Sequence, residues 1–229
     1  MRDMLIITPS RARPLFVSRL CNQIAQTSAA LTDICFAFDD DDPAFDANMT
    51  AALDNELDGA RVKVVSGPRR QLGPWTNIIA RAAMGKYLTY ASLGDDHEPR
   101  TPGWDARLIE AIAETGGGFA CPNGVHRPEY PEAVAVSCSV VEALGWMCEP
   151  SLSHYCVDQV WLELAQGADC WSYLPDVIVE HTGHGLDNTE RGNQAHVNGD
   201  MDAWKTWQQE RKYDDIATVR AALAESTSE

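Results

Sequence analysis

Short apolar runs alternate with amphipathic segments along the first hundred residues of the chain. Each run has the length of a buried strand, and the segments between them repeat apolar side chains three or four residues apart, as one face of a helix does. The pattern predicts four strands, at Met4–Thr8, Asp33–Phe38, Arg61–Ser66 and Tyr87–Leu93. Helices are predicted from Pro14, over Ala47–Asn55 and over Trp75–Met84. This order is typical of an α/β protein with a doubly wound, mostly parallel sheet.

The second half of the chain has a weaker pattern. Its predicted helices and strands are a helix at Thr101–Glu114, strands at Phe119–Cys121, Ala133–Ser137 and Tyr173–Glu180, helices at Val140–Gly145 and Val157–Ala165, a loop at Leu186–Asp200 and a last helix at Ala203–Ala224. Trp104 is expected in the core of the protein more than on its surface as a platform for a sugar.

The composition is that of a globular protein that does not cross a membrane. Of 229 residues, 45% are hydrophobic and 23% are charged, and no apolar run approaches the length of a membrane span. The polar N-terminus does not resemble a signal peptide. Seven scattered cysteines without a CxxC pair predict buried thiols in a reducing compartment. We therefore expect a cytoplasmic location, which is the host cytoplasm if the gene belongs to a phage.

The net charge of −16 disfavours a broad contact with duplex nucleic acid, since the chain has no basic cluster longer than Arg69-Arg70. Much of the acidity is concentrated in two runs, Asp39–Asp42 and Asp95–Glu98. Concentration at two points suggests sites more than general solubility, although four aspartates in a row cannot all bind one ligand. At least two of those four are expected to be solvated.

Both acidic runs follow predicted strands, at the sheet edge where open α/β sheets bind their ligands. The run Gly94-Asp95-Asp96-His97 ends the fourth strand, and the loop Pro9–Pro14 ends the first. Carboxylate oxygens suit Mg²⁺ or Mn²⁺, which in turn suit the phosphates of a nucleotide. Arg11 and Arg13 are candidates for contact with a phosphate or a base, and solvent exposure is the alternative.

The chain resembles the GT-A glycosyltransferases, in particular the family-2-like group and its small phage and bacterial members. The matching pieces follow the family's order over about 180 residues of this chain. They are IITPSRARP at 5–14, FAFDDDDP at 36–43, YLTYASLGDDHEPRTPGWD at 87–105, VDQVWLELAQGA at 157–168 and YLPDVIVEHTGHG at 173–185. Gly94 departs from the family's DxD-like motif, which begins with Asp in many members.

The resemblance implies a metal-dependent transfer of a sugar from a UDP- or GDP-sugar to an acceptor hydroxyl. Asp96 would bind Mn²⁺ or Mg²⁺, His181 would be the late metal ligand, and Asp158 would be the base of an inverting reaction. The first loop (Pro9, Ser10, Arg11) and Asp39 or Asp40 would hold the nucleoside, and Asp95 would belong to the same donor site. The auxiliary counter-charges to the diphosphate would come from Arg11, Arg13, Arg69, Arg70 or Arg191. Residues 1–105 would form the nucleotide-sugar half, 106–200 a smaller acceptor-side half and 201–229 a C-terminal helix.

Three other functions fit the same residues. One is a nucleotidyltransferase, and a second is a zinc hydrolase that uses Asp95, Asp96, His181 and His184. The third is a non-catalytic nucleotide-binding relative. The sequence leaves open whether the reaction inverts or retains. The acceptor also stays open among a protein or glycan hydroxyl, a lipid-linked sugar and a modified base in DNA, and the acidic charge makes DNA the least favoured.

Overall fold

A single curved sheet of eight strands forms the centre of the protein. The computed structural model describes residues 1–54, 62–183 and 194–226. Within these ranges the sheet order is β3-β2-β1-β4-β7-β6-β8-β5. The strands are β1 Arg2–Pro9, β2 Thr32–Asp39, β3 Val62–Gly67, β4 Tyr87–Ser92, β5 His97–Pro99, β6 Phe119–Asn123, β7 Val134–Ser137 and β8 Trp171–His181.

Helices cover both faces of the sheet. They are α1 Pro14–Thr27, α2 Phe45–Leu53, α3 Leu72–Ala83, α4 Trp104–Glu114, α5 Cys138–Leu144, α6 Val157–Gly167, α7 Gln194–Glu210 and α8 Lys212–Ser226. Side chains of α1, α2 and α4 pack in one core cluster. Side chains of α3, α5, α6, α7 and α8 pack in the other. The protein is thus a three-layer α/β/α structure.

The predicted parallel half is confirmed. Strand β1 pairs in parallel with β2 on one side and with β4 on the other, and β3 extends the sheet beyond β2. Successive side chains of a strand point to opposite faces. Accordingly Leu5 and Ile7 belong to one core cluster, and Met4 and Ile6 belong to the other. The continuous apolar run of β1 is explained by burial on both faces.

The second half of the sheet is mixed. Strand β7 runs antiparallel to both β4 and β6, while β8 runs parallel to β6. Strand β5 pairs antiparallel with the end of β8, with His97 opposite His181. The sequence did not predict β5, because three residues that end in proline carry no alternation signal. This short strand is nevertheless the element that completes the site described below.

Two predictions about the C-terminal part were wrong. The predicted loop Leu186–Asp200 is helical from Gln194 onward, and its residues 186–193 lie outside the described part of the chain. The predicted single helix Ala203–Ala224 is two helices, α7 and α8, which are separated at Arg211. The break allows both Trp207 and Val219 to reach the same core cluster. Their burial outweighs the continuous helical propensity of the segment.

Burial explains several residues that the sequence left ambiguous. Trp104 is fully buried, so it belongs to the core and is not a sugar platform. All seven cysteines are free thiols, and only Cys138 is partly exposed. Burial raises the pKa of the Cys21 thiol to about 12, which keeps that sulfur protonated. None of the described helices is long and apolar enough to cross a membrane.

Asp105, at the start of α4, joins that helix to the loop before β2. Its carboxylate is fully buried and accepts hydrogen bonds from the backbone N–H groups of Ala29 and Ala30, at 2.9 and 3.2 Å. The hydroxyl of Thr32 donates a third bond, at 2.6 Å. This is the aspartate of the TPGWD segment, and its role is structural.

We predict that Asp105→Ala lowers the free energy of unfolding by about 2–4 kcal/mol, because one buried and two part-buried donors lose a charged acceptor. Glu114→Ala, an exposed site at the other end of α4, is the control and should change it by less than about 0.5 kcal/mol. Urea unfolding monitored by tryptophan fluorescence measures both values. An Asp105→Ala protein as stable as the control would contradict the structural role.

Candidate active site

The loop after β1 joins two acidic clusters, because β1 lies between β2 and β4 in the sheet. On the β2 side, Arg11 donates to Asp39 Oδ2 at 3.0 Å. Asp39 Oδ1 accepts the backbone N–H of Arg70 and the indole N–H of Trp75, both at 2.9 Å. The protein therefore already uses the buried Asp39 carboxylate to fix two loops, while Asp40 is exposed at the same edge.

The rest of the first acidic run divides as expected. Asp40 and Asp41 are exposed, which confirms that at least two of the four aspartates are solvated. Asp42 is buried instead and accepts the backbone N–H of Ala12 and the side-chain amide of Asn48, both at 2.8 Å. Asp42 therefore anchors the loop after β1 to the start of α2, and its role is structural.

On the β4 side, the same loop holds the second acidic run. The hydroxyl of Ser10 donates to Asp95 Oδ2 at 2.5 Å. Arg13 donates to Asp95 Oδ1 at 2.8 Å and to Asp96 Oδ2 at 3.3 Å. Burial raises the pKa of Asp95, and the bonds from Arg13 and Ser10 oppose that rise. The predicted residues Ser10 and Arg13 thus contact Asp95, and Arg13 also contacts Asp96, while Pro9 ends β1 just before them.

Asp96 and His181 meet, although they are far apart in sequence. Asp96 Oδ1 lies 3.5 Å from His181 Nε2 and 3.7 Å from His97 Nδ1. The two imidazole rings stack with their centroids 4.6 Å apart and a 13° angle between the planes. The cause is the pairing of β5 with β8, which sets His97 directly opposite His181. Thr182 strengthens this corner by donating its backbone N–H to the Asp96 carbonyl at 2.9 Å.

The three groups carry different charges. Burial alone would raise the pKa of Asp96, but His181, His97 and Arg13 outweigh it and lower that pKa. Burial alone would lower the pKa of His181, but Asp96 and Glu132 raise it to about 9. Burial and the neighbouring His181 cation lower the pKa of His97 to about 4, so His97 is neutral near pH 7. An anion and a cation therefore face each other, with a neutral ring against them.

Glycine at two positions makes room for the Asp96 carboxylate. A Cβ at Gly94 would lie 2.6 Å from Asp96 Oδ1 and 2.8 Å from His97 Nδ1. A Cβ at Gly183 would lie 2.1 Å from Asp96 Oδ2. The Gly94 backbone N–H also donates to His97 Nδ1 at 2.8 Å. The departure at Gly94 from the DxD-like motif therefore has a steric reason: the second aspartate and the histidine occupy the space that a side chain would need.

Asp158 lies in the first turn of α6, as predicted from the sequence. Burial raises the pKa of its carboxyl, while Tyr130 and the backbone N–H of Gln159 favour the ionised form. The Gln159 N–H donates to Asp158 Oδ1 at 3.1 Å. A buried carboxylate with a raised pKa is better suited to accept a proton than an exposed one, and this is what a general base requires.

The sequence offered no sign that the loop between β6 and β7 (residues 124–133, the β6–β7 loop) takes part in the site. This loop contacts both Asp158 and His181. Tyr130 faces Asp158, and the Arg127 guanidinium stacks on the Tyr130 ring at 3.5 Å from its centroid. Arg127 Nη1 also lies 3.7 Å from Glu132 Oε1, and that oxygen is 3.6 Å from His181 Nδ1. The segment has no periodicity or family motif, so no signal in the sequence marked it.

The donor set suits a hard divalent cation that shares its coordination with a substrate. Asp96 and His181 converge within 3.5 Å, and the buried Nε2 of His97 has no hydrogen-bond partner in the described protein. In residues 1–54, 62–183 and 194–226, no group of three or more His, Cys, Asp or Glu side chains is placed to hold a metal ion by itself. Mg²⁺ and Mn²⁺ sites of nucleotide enzymes need only one or two protein groups plus phosphates. His184 and Arg191 lie outside the described residues.

Comparison with solved structures identifies the fold. A Pyrobaculum calidifontis mannosyltransferase in complex with GDP-Man and Mn²⁺ matches 100% of this chain and 77% of its own, with 12% identity and a TM-score of 0.66. Staphylococcus aureus TarS 1–349 with UDP-GlcNAc matches 98% and 80%, with 11% identity and a TM-score of 0.59. Mycobacterium tuberculosis glucosyl-3-phosphoglycerate synthase with Mn²⁺, UDP-Glc and phosphoglyceric acid matches 97% and 80%, with 14% identity and a TM-score of 0.59.

No family model matches the sequence, and no curated protein matches it either. The likeness is therefore one of structure. The architecture, with a curved eight-stranded sheet between helices, is that of the GT-A nucleotide-sugar glycosyltransferases. This chain has the GT-A fold, and the expectation drawn from its motifs is confirmed at that level.

We predict that Gly94→Ala destabilises the protein and displaces Asp96, because the added Cβ has no room. Gly199→Ala is the matched control, since a Cβ there meets nothing within 4 Å and the residue lies inside α7. The control should be neutral or more stable by up to about 1 kcal/mol. Thermal unfolding compares the two, and a Gly94→Ala protein as stable as the control would refute the steric argument.

Proposed function

We propose that this protein is a divalent-metal-dependent glycosyltransferase that moves a sugar from a UDP- or GDP-sugar to an acceptor hydroxyl. The observation that carries the proposal is the meeting of Asp96 and His181 at the edge of a GT-A sheet. Three structures of similar fold contain nucleotide-sugar donors, and two of these contain Mn²⁺. Asp96 and His181 would hold Mn²⁺ or Mg²⁺ together with the donor diphosphate.

The donor side would use residues that the first loop already organises. A bound divalent ion neutralises the charge that develops on the departing diphosphate. Arg13 lies beside both Asp95 and Asp96, where its guanidinium can turn from these carboxylates to a phosphate. Ser10 and Asp95 would keep that loop in place. The exposed Asp40, more than the fully bonded Asp39, would be available to a ribose hydroxyl, with Pro9, Arg11 and Arg70 around it.

On the acceptor side, Asp158 would take the proton from the attacking hydroxyl, which gives inversion at the anomeric carbon. Tyr130 lies beside the carboxylate, and its hydroxyl would donate to Asp158 and orient it. The base lies on α6 and the candidate cation site lies where β5 meets β8, and the β6–β7 loop contacts both. In this proposal residues 1–105 bind the donor, residues 106–200 present the base and the acceptor, and residues 201–229 end the helical layer behind them.

The first test is calorimetry of the protein with UDP and GDP, with and without Mn²⁺. We expect binding of one nucleotide that strengthens at least about tenfold with Mn²⁺, since the cation links the diphosphate to Asp96 and His181. Asp96→Asn should abolish that strengthening and leave the metal-free affinity nearly unchanged. Asp54→Asn, at an exposed position beyond the end of α2, is the control.

Two outcomes would contradict the proposed function. One is the absence of any metal-dependent nucleotide binding in every combination. The other is an Asp96→Asn protein that responds to Mn²⁺ as the unaltered protein does, because the cation would then be held elsewhere. Once a donor is found, release of the free nucleoside diphosphate reports transfer or hydrolysis of the sugar.

A second prediction concerns the base. Asp158→Asn should lower kcat by about 10²–10⁴-fold and leave donor binding intact. Because burial raises the pKa of Asp158, the acid limb of the activity profile should lie at a higher pH than an ordinary aspartate would give. Tyr130→Phe removes a donor that stabilises the carboxylate, so this acid limb should move to higher pH. A limb that stays in place or moves to lower pH would contradict the role of Tyr130.

A further inference from the structure

Glu132 is a carboxylate beside the candidate cation site that the mechanism above does not use. Glu132 ends the β6–β7 loop with its side chain only 7% exposed. Burying an ionised carboxylate is costly unless cationic or hydrogen-bonding groups compensate it. The positive charges that face it are Arg127 Nη1, 3.7 Å from Oε1, and the His181 ring. The Arg127 side chain is 44% exposed and the His181 side chain is 25% exposed, so His181 is the less exposed of the two partners.

The His181 ring is confined on three sides. Its Nε2 faces Asp96 Oδ1 at 3.5 Å, and its Nδ1 faces Glu132 Oε1 at 3.6 Å. The face of the ring stacks on His97 at 4.6 Å between centroids. The two ring nitrogens of a histidine are distinct, and the group that accepts from one nitrogen determines which nitrogen is left to bind a ligand. Glu132 and Asp96 thus compete for the single proton of the neutral ring.

The loop that carries Glu132 is strained. Val125 and Glu129 adopt left-handed conformations, with φ of 73° and 62°. Such values are rare for residues other than glycine, and for a β-branched valine they are costly. The backbone of Gly124 approaches the Glu132 carboxylate, since a Cβ there would lie 3.0 Å from Oε2. Strain of this kind persists where the surroundings fix a loop. In this loop Glu132 lies against His181.

We propose that Glu132 is a positioning residue for His181: its Oε1, 3.6 Å from Nδ1, favours the ring proton on Nδ1, so that the lone pair of Nε2 faces Asp96 and the cation. The identity of that cation rests on the proposed function, whereas the tautomer of His181 does not. Carboxylates that accept from the remote nitrogen of a metal-bound histidine fix its ring and raise its basicity. Glu132, on the β6–β7 loop, would fix the ring of His181 at the end of β8 in this way.

The first measurement is nitrogen-15 NMR of histidine in the metal-free protein, at alkaline pH where the His181 ring is neutral. We expect the proton on Nδ1 in the unaltered protein. Glu132→Ala should move it largely to Nε2, where Asp96 accepts it. Glu132→Gln should keep it mostly on Nδ1, because the side-chain amide oxygen can still accept. A proton on Nε2 in the unaltered protein would overturn the proposal without recourse to any variant.

The second measurement is the affinity for Mn²⁺ in the presence of UDP or GDP, followed by electron paramagnetic resonance of the free ion. Glu132→Ala should weaken it by about 10–100-fold, and Glu132→Gln should recover most of the loss. Both variants remove the same charge, so equal losses would mean that Glu132 acts by charge and would overturn the positioning role. Glu114→Ala, which removes an exposed carboxylate at the end of α4 and away from this loop, is the control and should leave the affinity unchanged.

The two measurements separate this inference from the proposed function. If the unaltered protein binds no Mn²⁺ with either nucleotide while its His181 tautomer responds to Glu132→Ala, the glycosyltransferase proposal fails and the positioning role stands. If Mn²⁺ binds with UDP or GDP but Glu132→Ala leaves both the tautomer and the affinity unchanged, the positioning role fails and the proposed function stands.

Discussion

The pairing of β5 with β8 is the constraint on which the site depends. It sets His97 opposite His181, and because Asp96 precedes β5 directly, the pairing also brings that carboxylate within 3.5 Å of His181. Three charged or polar side chains then share a corner that is largely closed to water. Electrostatic interactions are stronger there than at an exposed surface, so the opposite pKa shifts of Asp96 and His181 follow from this one register.

The acidic residues of the chain divide into structural and available carboxylates. The structural carboxylates are buried and accept hydrogen bonds from backbone or side-chain donors, so they hold loops and helix ends together. They are Asp39, Asp42 and Asp105. Asp96 differs because the partners of its carboxylate are two imidazoles and one arginine. The net charge of −16 therefore gives little indication of function until each carboxylate has been assigned its donors.

A likeness of fold at 11–14% identity is consistent with what this site needs. The parallel half has only to place strand ends side by side, and many apolar sequences do that. In this chain Gly94 and Gly183 surround the Asp96 carboxylate, and the β6–β7 loop lies behind His181. The fold is thus the element that the comparisons show to be shared.

By itself the sequence determined the parallel half of the fold, because long apolar runs such as β1 leave few alternatives. Through their motifs it also singled out Asp96, His181 and Asp158 as candidate site residues. It did not determine β5, the break between α7 and α8, or the role of Glu132. Those features arise from contacts between segments that are distant in the chain, and such contacts leave no periodicity in the local pattern. Only the tertiary structure could therefore decide which donors each carboxylate meets.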